Sequence, residues 1–135
     1  MALQKAKLLP YDTPAKVGGP AGDAFDLVYA NVAPAVRKKV HSADPALGEW
    51  IQVHAYGDIY SSPGLDLRRK QLIMCARLAQ ANMDEQLFGH AIAALRFGNT
   101  KDILLEAASL AFEMAPATSQ DQIDAAINAI NLVGY

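Results

Sequence analysis

Pro63-Gly64-Leu65-Asp66-Leu67-Arg68-Arg69-Lys70-Gln71-Leu72-Ile73-Met74-Cys75 is the stretch that decides the fold. Pro63-Gly64 ends whatever precedes it. Asp66 is an N-cap residue type, whose carboxylate accepts from the first unsatisfied N–H groups of a helix. Leu72 to Ala76 are apolar on every side of a helix, which predicts a central, buried helix reaching about Ala81. Arg68, Arg69 and Lys70 fall in its first turn, where the helix dipole disfavours a cation by roughly 0.3–1 kcal/mol each. A basic cluster at the unfavourable helix end asks for a purpose.

Downstream, Asn82 or Asp84 starts a second helix with Leu87, His90, Ala91, Ala94 and Leu95 on one face, and Gly98 ends it as a C′ glycine. Thr100 caps a third, with Ile103, Leu104, Ala107, Ala108, Leu110 and Ala111 as its core side. Ser119-Gln120-Asp121-Gln122 reads as a capping box for the last helix, which carries Ile123, Ala126, Ile127, Ile130 and Val133. Upstream, Asp44-Pro45 is an N-cap followed by proline at N1, opening a helix to about Tyr60. Leu47, Trp50, Ile51, His54 and Asp58 form one stripe of that helix, and Glu49, Val53, Tyr56 and Tyr60 a second. Asp23 opens a short helix to about Asn31, and Pro34 starts another short piece, Ala35 to His41. Residues 1–22 hold three prolines and Gly18-Gly19, the composition of an extended arm. No stretch alternates with a period of two. The fold class is therefore all-α, a single-domain helical bundle of about six to seven helices over 23–135 behind that arm.

The 135 residues suffice for one domain with a real core. Hydrophobic residues make up 52% against 19% charged, and the excess is largely Ala and Leu, which points to helices and to apolar surface covered by oligomerisation. The net charge is −2 and no long basic run exists, which argues against nucleic acid as a partner. No apolar run approaches the roughly 20 residues of a membrane span. The single cysteine, Cys75, excludes an internal disulfide and a CxxC redox pair. The start of the chain reads as cytoplasmic, without a signal or transit pattern.

Tyr56-Gly57-Asp58-Ile59-Tyr60, Pro63 to Arg68, Leu72-Ile73, His90, and Ala93 through Asp102 together resemble the carboxymuconolactone decarboxylase family of the alkylhydroperoxidase D-like superfamily. The resemblance covers about residues 44–115. It implies a helical fold with a central antiparallel helix pair, homo-oligomers (trimers or hexamers), and sites near subunit contacts. It implies cofactor-free loss of carbon dioxide from a carboxylated muconolactone, that is, a lyase acting on a small acid or lactone. The superfamily's other branch reduces peroxides through a Glu, Cys-x-x-Cys, His relay. On this chain those positions fall on Gln71, on Met83 and Gln86, and on His90. Neither Met nor Gln supplies a thiolate, so thiol peroxidase chemistry is disfavoured. The alternative to an enzyme is an oligomeric assembly or binding protein that keeps the fold without chemistry.

A vinylogous decarboxylation needs a donor at the developing enolate oxygen and an acid to reprotonate carbon. His90, unusual on an apolar face, is the candidate proton donor with a pKa tuned near neutrality, or else a core histidine satisfied by one hydrogen bond. Arg68 is the candidate carboxylate anchor, or else an interface or intrahelical salt bridge. Gln71 shares the helix face of Arg68 and could reach the same site as a neutral donor. His54 with Asp58 at i, i+4 forms an orienting pair or a structural one. Glu49 and Tyr56 lie on the adjacent stripe as substrate-binding candidates. Trp50 and Tyr60 read as core or interface aromatics, and His41 as surface. His41, His54 and His90 show no metal-binding spacing, so no metal is expected, and the reaction that the resemblance implies needs no other cofactor.

Overall fold

Every regular element among the described residues, 23–115 and 117–134 of this computed structural model, is helical. The expected arm, residues 1–22, lies outside them, as do Pro116 and Tyr135. The chain folds as two compact units, one ending at Asp66 and the other beginning at Leu67.

The first unit contains α1 (Asp23–Tyr29), a 3₁₀ turn (Ala30–Val32), α2 (Ala33–Ala43), α3 (Pro45–Trp50) and a π-helix (Ile51–Ile59). Ala30, with φ of 50°, breaks the helical path after α1, a left-handed conformation that costs an alanine roughly 1–2 kcal/mol. Asp44 caps α3 as expected, its Oδ1 accepting from the N–H groups of Ala46 (2.9 Å) and Leu47 (3.1 Å). Beyond Trp50 the helix widens to i→i+5 hydrogen bonds, and Tyr60 N–H closes it on Ala55 O at 2.9 Å. A π-helix turns through a smaller angle per residue than an α-helix. The stripe of Glu49, Val53, Tyr56 and Tyr60 therefore splits: Tyr56 and Tyr60 are buried, whereas Glu49 and Val53 face solvent. Phe25, Tyr29, Tyr56 and Tyr60 form an aromatic cluster, with Tyr56 stacked on Tyr60 at 4.7 Å and edge-on to Phe25 at 4.9 Å. Tyr60 is thus core, but Trp50 is 54% exposed.

A chain of polar contacts ties α1, α2 and the π-helix. Arg37 lies over the Phe25 ring at 4.8 Å and donates to Asp26 Oδ1 (2.7 Å) and Gln52 Oε1 (3.0 Å). His41 Nδ1 donates to Arg37 O at 3.1 Å. Its Nε2 is then the ring's acceptor, and Gln52 Nε2 donates to it at 3.4 Å. His41 is therefore no bystander of the surface. It also explains the buried Gly48: a Cβ there would stand 2.7 Å from His41 Nδ1 and 2.8 Å from its Cγ. The ring cannot turn away without losing both hydrogen bonds. Gly48→Ala is expected to destabilise the chain by up to about 2 kcal/mol in urea unfolding, because an overpacking cost of about 1–3 kcal/mol exceeds the helix-propensity gain of about 1 kcal/mol.

The second unit contains α4 (Leu67–Gln80), α5 (Asp84–Arg96), α6 (Lys101–Glu113) and α7 (Gln120–Asn131). Gln71 in α4 meets His90 at the middle of α5, and Asn99, just past the end of α5, reaches Arg68 at the start of α4, so these two helices run antiparallel. Leu72, Cys75, Leu78, Leu87, Leu104, Phe112, Ile130 and Val133 fill a core shared by the four helices, and Ala79, Ala91, Ala94, Ala107, Ala108, Ala126 and Ala129 let the backbones approach closely. Not every side of α4 is buried: Ile73 is 56% exposed and, with Ala76, Ala107, Leu110, Ala111 and Met114, lines an apolar groove beside α6.

The helix ends follow their chemistry. Gly98, with φ of 94°, closes α5 in a Schellman motif, Gly98 N–H on Leu95 O and Asn99 N–H on Ala94 O, both at 3.0 Å. Asn82 does the same for α4 with φ of 57°, its N–H on Ala79 O (3.2 Å) and Met83 N–H on Leu78 O (3.0 Å). Asn82 is thus a helix terminator and not a helix start. Thr100 Oγ1 accepts from Ile103 N–H and Ser119 Oγ from Gln122 N–H, both at 3.2 Å. The capping box is only half made. Gln122 donates its side-chain amide to Ala79 O (3.2 Å) and Gln80 O (2.7 Å), stitching α7 to the end of α4.

Candidate functional site

The antiparallel pairing of α4 and α5 brings two buried polar side chains together inside an otherwise apolar packing layer. His90 Nδ1 and Gln71 Oε1 lie 2.9 Å apart. Gln71 is 0% exposed and His90 7%. Leaving a buried polar group without a partner costs about 1–3 kcal/mol, and this contact satisfies one atom of each side chain. The amide oxygen can only accept, so Nδ1 carries the proton and the imidazole lone pair sits on Nε2. Gln71 thereby fixes the tautomer, as a carboxylate or carbonyl does for other histidines.

Burial pushes the His90 imidazole down to about 4. The expectation of a pKa near neutrality is corrected: desolvation penalises imidazolium, and Gln71 offers a neutral dipole and no counter-charge. At neutral pH the ring is uncharged. The shift is also a stability statement. The unfolded chain takes up this proton first, so stability present above pH 6.5 is lost as pH falls toward 4, by about 3 kcal/mol for this group. Urea unfolding at pH 7 and pH 4.5 is expected to show that loss in the native chain, and a correspondingly smaller one in His90→Gln.

Arg68 stands on α4 one turn before Gln71 and on the same side of the helix, half-buried. Its carbonyl accepts from Asn99 Nδ2 at 3.0 Å, a contact that no local sequence pattern announces. Asn99 is 6% exposed, and the same amide nitrogen donates to Ala94 O at 3.1 Å. Cys75, one turn beyond Gln71, is 1% exposed, and burial pushes its thiol up to about 12. It packs in the core shared by the four helices.

The other three candidates belong to the unit ending at Asp66. His54 and Asp58 make the expected pair, Nδ1 to Oδ2 at 3.3 Å, on a solvent-exposed face with Trp50 5.1 Å from the His54 ring. Glu49 is exposed, one helical step from Trp50. Tyr56 is buried and its hydroxyl donates to Tyr29 at 3.0 Å. Burial, with the neighbouring Tyr29, drives its pKa far above the ordinary phenol range. Its hydroxyl proton therefore serves the aromatic cluster.

Among the described residues, no three His, Cys, Asp or Glu side chains gather where a metal ion would be held. None of their helices is long and apolar enough to cross a membrane. No protein-family model matches the chain, and comparison with curated proteins returned no match.

Proposed function

We propose that this chain is a cofactor-free decarboxylase of the carboxymuconolactone decarboxylase type, acting on a small carboxylated lactone or a related acid. The observation that carries the reading is the His90–Gln71 contact at 2.9 Å. These are two positions that the resemblance aligns with the superfamily's proton-handling residues, and they meet across the antiparallel helix pair. Arg68, one turn from Gln71, binds the substrate carboxylate through its guanidinium. The bond between that carboxylate carbon and the ring breaks, carbon dioxide leaves, and the electron pair moves into the conjugated lactone carbonyl as an enolate. His90 then delivers a proton from Nε2 to carbon, so each turnover consumes one proton.

A neutral resting imidazole must first acquire that proton. An anionic substrate within about 4–6 Å favours the charged form, so substrate and proton arrive together. The second-order rate is consequently expected to fall as pH rises from about 5 to about 8, since the free ring titrates near 4. A rate that instead rises through that range would assign His90 the role of a base.

The apolar groove of Ile73, Ala76, Ala107, Leu110, Ala111 and Met114 supports assembly into a trimer or hexamer. It fits equally a non-catalytic assembly protein, the second reading. Light scattering tests the assembly, and a monomer mass would refute it. Ultraviolet absorbance of the carboxylated lactone tests the chemistry: the protein is expected to accelerate its loss, and a rate equal to the uncatalysed one removes the decarboxylase reading.

A further inference from the structure

We propose that Asn99 is the positioning residue of the His90–Gln71 pair, holding one backbone carbonyl of each helix on a single side-chain amide. The inference rests on the reading of His90 as the proton-transfer group. Asn99 Nδ2 donates to Ala94 O at 3.1 Å and to Arg68 O at 3.0 Å. Ala94 is one turn past His90 on α5, and Arg68 is one turn before Gln71 on α4. The amide is planar, so its two hydrogens point in fixed directions and each finds one carbonyl. Its backbone is itself anchored, because Asn99 N–H bonds Ala94 O at 3.0 Å in the Schellman turn that Gly98 makes possible.

A helix cap needs only the bonds to α5. The bond to Arg68, 31 residues away, does something else: it locks the axial register of α4 against α5 beside the functional pair. A small slip of α4 along α5 lengthens Nδ1···Oε1, and the tautomer of His90 is then no longer dictated by Gln71. Asn99 is also buried at 6% exposure, so water does not readily replace the lost amide.

The test uses the whole chain with ¹⁵N-labelled histidine. In the native protein the His90 ring nitrogens are expected to report the Nδ1–H tautomer. In Asn99→Ala they are expected to converge toward a tautomer mixture, with the titration midpoint moving up toward the ordinary histidine value. Asn99→Ser keeps one hydroxyl donor and gives the same readout should the alanine variant fail to fold. Thr100→Ala is the control. It removes the adjacent helix cap, and so costs stability, without touching Arg68, and is expected to leave both His90 signals in place. A His90 tautomer and midpoint unchanged in a folded Asn99 variant would reduce Asn99 to a helix cap and overturn the proposal. Where the native chain turns over substrate, the Asn99 variants are expected to lose up to about 100-fold in kcat. Absence of turnover in the native chain would sink the enzymatic reading while leaving the NMR result to decide the positioning one.

Discussion

His90→Ala is expected to lower kcat by roughly 10²–10⁴-fold, the range that a positioned proton-transfer group contributes. KM is expected to change little, because the proposed carboxylate anchor, Arg68, lies on the other helix of the pair. The substitution removes the donor to Gln71 Oε1, so His90→Gln, which can restore a hydrogen bond without an imidazole, separates chemistry from packing. Steady-state kinetics of both variants on the carboxylated lactone decide the matter. Equal kcat in wild type and both variants would take the imidazole out of the reaction.

Gln71→Glu is expected to invert the electrostatics of the buried pair. A carboxylate would stand where Oε1 now lies, 2.9 Å from Nδ1. An opposite charge at that distance favours imidazolium and opposes the desolvation that now holds His90 near 4. Its pKa is expected to rise past the ordinary 6.5, and the variant's histidine titration by NMR reads this directly. The sign of the stability effect reverses with it. A group whose folded pKa is raised contributes stability below its unfolded value and loses it as pH rises through the folded one. The contrary outcome is a glutamic acid that stays protonated because burial wins, leaving His90 titrating near 4.

The helices were legible in the sequence because their ends are written in local chemistry. Asp44, Thr100 and Ser119 cap as their residue types dictate, and Gly98 terminates as a C′ glycine does. Elsewhere tertiary context decides between roles that local chemistry leaves open. Asn82 has both the character of a cap and the tolerance for positive φ, and tertiary context selects the second. Gln122 has the spacing of a capping box but finds carbonyls of α4 instead. The widening of the helix at Ile51 breaks the 3.6-residue period on which the stripe of Glu49 and Tyr56 depended.

The candidate site was legible in part. His90 stands out as a histidine on an alanine-rich face, and Gln71 as the neutral polar residue directly before the apolar run Leu72 to Ala76. Their meeting follows from the antiparallel pairing of two helices joined by a short turn. The pKa of His90 was not legible, since it depends on how completely the ring is buried and on the neutrality of its partner. Asn99 escaped because its deciding bond reaches a carbonyl 31 residues away. The local signal is a polar residue directly after a helix-ending glycine, which does not say whether that residue is buried.

Carbon dioxide release from a carboxylated lactone by the chelator-treated, dialysed wild-type chain tests the central claim most directly. One carbon dioxide released, and one proton consumed, for each lactone lost is expected, at an unchanged rate after chelation. Release no faster than in the protein-free blank, or lactone loss without carbon dioxide, would contradict it.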